Sequence, residues 1–85
     1  MRRCNFAGAN LSSADLSGAD LSGASLRNAN LMNANLSYAN LTRVDLTGAR
    51  IWGADMSHAN LRGAEVGSIN MSDAKLTGAT MPHGY

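Results

Sequence analysis

The chain has one cysteine, one proline, four aromatic residues and almost no net charge, and each shortage excludes something. With Cys4 alone there is no internal disulfide and no cysteine-rich zinc site, and a reducing compartment is the simpler setting. A formal charge of +1, with 15% charged residues, suits neither a basic nucleic-acid glove nor an acidic tail. Phe6, Tyr38, Trp52 and Tyr85 are too few to build an aromatic-packed core. No apolar run approaches the roughly 20 residues that span a bilayer. The opening MRRCNFAGAN has basic residues but no apolar segment behind them, so it does not read as a signal peptide. These absences together lead us to expect a cytoplasmic protein without membrane contact. The sequons at Asn10, Asn35, Asn40 and Asn70 follow from an N-L-S/T or N-M-S pattern and point to no glycosylation without a secretion signal.

What the chain does have is a beat. From Ala9 to Thr42 it reads ANLSS ADLSG ADLSG ASLRN ANLMN ANLSY ANLT, and the five-residue period runs from Cys4 to His83 without insertion or deletion. Sixteen large apolar residues occupy the centres of these fives, ten of them leucine. Alanine stands two residues before the centre in thirteen cases, and Asn or Asp comes between them in eleven. Glycine recurs at the second position after the centre in seven.

A period of five suits neither regular element. On an α-helix, steps of five rotate by about 140° and scatter the centres around the cylinder. On a strand, five is odd, so successive centres alternate between faces. A chain that turns after every short segment can point each centre inward, and abundant Gly, Asn, Ser and Asp tolerate such turns. Fixed-period similarity without an independent core per unit describes a solenoid stabilised by stacking. The recurring A-(D/N)-L-x-x closely resembles the pentapeptide-repeat family, over essentially the whole chain. That resemblance implies an all-β, right-handed quadrilateral β-helix with four fives per coil, hence about four coils. We expect a single domain over residues 1–85, with repeats at 4–83 and short frayed tails at 1–3 and 84–85.

Four fives per coil would stack residues twenty apart into four inward columns. These are Phe6, Leu26, Leu46, Val66; Leu11, Leu31, Ile51, Met71; Leu16, Leu36, Met56, Leu76; and Leu21, Leu41, Leu61, Met81. The rod would be about 20 Å tall at roughly 4.8 Å per coil. Asn and Asp beside the centres are expected to hydrogen-bond the turn backbone. Ile69, large where alanine is usual, together with a small Val66 in the same coil, suggests volume compensation within one layer. Solenoids need caps. Phe6 offers partial cover at one end, and only the His83-Gly84-Tyr85 tail at the other. The last layer (Val66, Met71, Leu76, Met81) is therefore a candidate end-to-end homodimer interface.

Few residues invite chemistry. His58 and His83 are the only histidines; His58 should stack on Tyr38, with Asp55 as the one further metal-ligand candidate nearby. No Ser-His-carboxylate arrangement and no phosphate-cradling GxGxxG or GxxxxGK[ST] motif occurs. We expect no enzyme, no metal and no cofactor. The candidates for interaction are the departures from the repeat: Met32 with Trp52, Tyr38 with His58, and Arg43 with Arg62, the last pair an anion-binding candidate. The expected partner is another protein. Some members of the family imitate duplex DNA to bind DNA gyrase and confer quinolone resistance, which requires acidic faces. Here the four faces sum to −1, 0, −1 and +1, so neither gyrase mimicry nor direct nucleic-acid binding is favoured.

Overall fold

Each five closes a tight turn. The alanine N–H donates to the carbonyl of the preceding centre, as from Ala14 to Leu11 at 3.1 Å and from Ala29 to Leu26 at 3.0 Å. The second residue after the centre takes a left-handed backbone, with φ running from +57° at Arg3 to +75° at Gly53. That places the turns in the type II family and explains the recurrence of glycine there. The structure, a computed structural model, describes residues 2–67, 69 and 71–82. The His83-Gly84-Tyr85 tail and Asn70 lie outside them.

The residue between alanine and centre forms the wall. Every β-bridge among the described residues is parallel and joins positions twenty apart, as in the run Asn5, Ser25, Asp45, Glu65. Ser25 donates back to the Cys4 carbonyl at 2.9 Å, and Leu26 donates forward to the Asp45 carbonyl at 2.8 Å. Twenty residues therefore make one circuit of four fives. The resulting block measures 25 × 24 × 21 Å, as tall as it is wide.

The centres line the axis. From Leu21 to Leu61 every one is 0–3% exposed, and the alanines from Ala24 to Ala59 are buried beside them. The slot takes a small side chain, alanine in most turns and the fully buried Val44 in one, because interiors pack at near-crystalline density and the facing leucines fill the remaining space. Phe6, Leu11 and Leu16 in the first coil are half-buried against the core.

Asn and Asp play the anticipated turn role. The Oδ1 of Asp15 accepts from the Ser17 N–H at 3.1 Å and from its hydroxyl at 2.7 Å. Asn40 does the same for Thr42, at 3.1 and 2.8 Å. This is why Ser or Thr so often follows the centre: its hydroxyl adds a second donor to the same oxygen.

The last coil departs from the pattern in two places. Gly67, directly after the centre Val66, is left-handed at φ +55°, and the Ile69 N–H still donates to the Val66 carbonyl at 3.2 Å. Residues Met71–Asp73 then form a 3₁₀ turn, whose Asp73 carbonyl still accepts from Gly53 at 3.0 Å. Ile69 is half-buried against the core, as Ala74 is in the same coil. In the final layer Val66 and Met71 are each only 5% exposed, while Leu76 and Met81 are half-buried and Pro82 is buried. Half of the proposed end-to-end surface is thus already covered within the chain.

Candidate functional site: three corners of the coil

The turns stack into four corners. Corner A contains turns 6–9, 26–29, 46–49 and 66–69; corner B contains 11–14, 31–34, 51–54 and 71–74; corner C contains 16–19, 36–39, 56–59 and 76–79; corner D contains 21–24, 41–44 and 61–64. The six candidate side chains fall in pairs on B, C and D, so they form three separate places and not one surface.

Corner B carries the apolar pair. Trp52 is 60% exposed and Met32 is partly covered. Together they line a shallow hollow of about 280 Å³ with Ala49, Arg50, Ile51, Ile69 and Asp73. The usual turn cap weakens here. Met32 donates only its backbone N–H to Asn30, at 3.0 Å. Arg50 stands where Asn or Asp would brace Trp52.

Corner C holds Tyr38 and His58. Their rings stack with centroids 4.8 Å apart and an interplanar angle of 17°, and Tyr38 is 68% exposed. Both residues sit in left-handed backbone, at φ +61° and +59°, a conformation that costs a side-chain-bearing residue about 1–2 kcal/mol. The stack recovers about 0.5–1.5 kcal/mol of that. Below it, the His58 imidazole lies over Gly78: a Cβ there would stand 2.5 Å from Nδ1 and 2.7 Å from Cε1. Asp55 is engaged within its own turn. Its carboxylate accepts from the Ser57 N–H and hydroxyl, which, with smaller help from Lys75 and His58, hold its pKa below the ordinary value against slight desolvation. Among the described residues no three His, Cys, Asp or Glu side chains cluster as metal ligands.

Corner D holds an open groove of about 640 Å³. It gathers Arg43 and Arg62, and it adds Arg2 and Arg3 from the stretch read as a frayed tail. That stretch is in register: the Arg3 N–H donates to the Ser22 carbonyl at 2.9 Å, and its φ of +57° matches the other turns. The signal was present in the sequence, since Arg3 precedes Gly23 by twenty residues and Arg43 by forty. Arg2 lies 3.6 Å from Asp20. Asp20 is held below the usual carboxylate range first by the Ser22 hydroxyl, then by the Ser22 N–H, with Arg2 a smaller contributor.

Four parallel walls, turns at every fifth residue and a filled axis define a β-solenoid. The pentapeptide-repeat family model matches in eight copies, over residues 1–37, 24–63 and 39–81. The chain belongs to the pentapeptide-repeat family, and its fold is the right-handed quadrilateral β-helix. Among solved structures it is similar to a pentapeptide-repeat protein from Nostoc PCC 7120, at 35% identity and TM-score 0.61, covering 99% of this chain and 74% of that one. It also resembles one from the thylakoid lumen of Arabidopsis thaliana, at 30% identity and TM-score 0.57, covering 89% of this chain and 57% of that one. A third is Rfr23 from the cyanobacterium Cyanothece 51142, at 32% identity and TM-score 0.50, covering 93% and 57%. The chain thus spans little more than half the length of two of these relatives. None of the curated proteins matches it.

Proposed function

We propose that the chain is a non-catalytic interaction module of the cytoplasm that docks a protein partner through corner B. One observation carries the reading: Trp52, the chain's only tryptophan, stands 60% exposed at the edge of a hollow lined by Met32, Ile51 and Ile69. A large aromatic beside an apolar recess, flanked by charges such as Arg50 and Asp73, is the usual make-up of an interface anchor. A non-catalytic role is supported by the carboxylates Asp15, Asp20, Asp45 and Asp55, each of which accepts from the hydroxyl of the Ser or Thr two residues on. Gyrase mimicry is the less favoured reading, because the corner D groove is lined by four arginines and one carboxylate, opposite in sign to a phosphate backbone.

The test is affinity capture from the native host with the wild-type chain and a Trp52→Ala variant in parallel. The reading expects one protein to be recovered by wild type and lost with the variant, both melting alike. Adding that protein should then shift the single-tryptophan emission to the blue. Recovery of the same proteins with both baits would refute the role of corner B, and recovery of gyrase would shift the function to the second reading.

A further inference from the structure

The net charge of +1 conceals an uneven distribution. Four of the seven cationic residues, Arg2, Arg3, Arg43 and Arg62, line the corner D groove against a single carboxylate, Asp20. The other three cations face five carboxylates elsewhere on the surface. Arg2 is committed to Asp20. Among the described residues Arg3, Arg43 and Arg62 have no salt-bridge partner.

The floor of the groove is shaped for their stems. Gly23 and Gly63 lie one coil beyond Arg3 and Arg43, and each lets the arginine chain run across it. A Cβ at Gly23 would stand 3.2 Å from Arg3 Cγ, and one at Gly63 would stand 3.3 Å from Arg43 Cγ. Arg3 and Arg43 themselves occupy left-handed backbone at φ +57° and +59°, where glycine would cost less. The fold thus carries two bulky cations at strained turns about 10 Å apart along one edge, two coils at about 4.8 Å each.

We propose that this groove binds a compact oligophosphate, gripped by the guanidinium groups of Arg3, Arg43 and Arg62. Guanidinium forks match phosphate oxygens in pairs. The rest of the lining (Ser22, Asn40, Thr42 and the two glycines) contains no apolar or aromatic side chain. A peptide would find no anchor there, and a single-stranded nucleic acid would find no ring to stack on. A phosphate chain needs neither. The volume, about 640 Å³, is within the range of small-ligand sites. The site is separate from corner B and stands independently of the protein-docking reading.

Titration calorimetry of the full chain at low salt tests this with inorganic tripolyphosphate, ATP and a short single-stranded oligonucleotide. We expect saturable one-to-one binding of tripolyphosphate, comparable binding of ATP, and at least a tenfold loss in Arg43→Gly and in Arg3→Gly/Arg43→Gly. Because glycine suits those turns, both variants should melt no lower than wild type, which separates lost binding from lost folding. Lys75→Gln, away from the groove, should bind as wild type does. The proposal is overturned if tripolyphosphate does not saturate, or if Lys75→Gln weakens binding as much as Arg43→Gly. Binding of ATP without tripolyphosphate would overturn it in favour of base recognition. An oligonucleotide more than tenfold tighter would overturn it in favour of nucleic acid.

Discussion

Gly78→Ala should destabilise the protein more than Gly18→Ala, although the two glycines occupy equivalent turns in the same corner, at φ +70° and +68°. Either substitution forces an L side chain into left-handed backbone, at about 1–2 kcal/mol. At Gly18 that is the whole cost, since an added Cβ would meet nothing within 4 Å. At Gly78 the same atom would stand 2.5 Å from His58 Nδ1. The imidazole must then move and give up its 4.8 Å stack on Tyr38, at a further cost of about 0.5–1.5 kcal/mol. The excess, near 1 kcal/mol, corresponds to about 4–8 °C in Tm for a domain of this size. Thermal unfolding followed by far-UV circular dichroism reads it directly. The excess should vanish in a His58→Gly background, where no ring overlies the turn. Equal Tm shifts for Gly78→Ala and Gly18→Ala, or an excess that persists without His58, would refute the assignment of the ring to that position.

Ala29, fully buried in the second coil, should not tolerate leucine: overpacking costs about 1–3 kcal/mol, and a wild-type chemical-denaturation midpoint would contradict the register. Trp52→Ala should leave that midpoint within about 0.5 kcal/mol of wild type, as for an exposed side chain that supports no core contact. Acid should weaken the fold through Asp15, Asp20, Asp45 and Asp55, all held below the ordinary carboxylate pKa chiefly by the Ser or Thr hydroxyl two residues on. Because the folded values are depressed, their contribution is full above the unfolded value of about 3.9 and is lost as pH falls through the folded values. Replacing all four by Asn, which accepts the same turn hydrogen bonds at Asn10 and Asn40, should flatten denaturation midpoints measured from pH 7 down to pH 2. An unchanged acid slope would show that other groups govern it.

The sequence carried the fold because a solenoid repeats one local solution. Leucine at every fifth position, alanine two before it and a hydrogen-bonding residue between them specify centre, packing slot and wall. The period needs no long-range information to be read. Four fives per coil, implied by the family resemblance and not by the period itself, then set every column, and so the pairings of Met32 with Trp52 and of Tyr38 with His58 were legible as residues twenty apart. What the sequence did not disclose was backbone state. Tyr38, Arg43 and His58 share the phase at which glycine recurs, yet only the turn geometry shows that they are held left-handed at a cost. Arg2 and Arg3 preceded the first clear repeat and seemed to lie outside it. The hydrogen bond from Arg3 to Ser22 brings them into corner D and turns a pair of arginines into a groove. Ile69 kept the alanine phase by count, and the tertiary structure sets it half-buried beside Trp52 in the corner B hollow. Local pattern decides where the chain turns. Which side chains the turns bring together, and at what strain, is decided only when coils separated by twenty residues pack against one another.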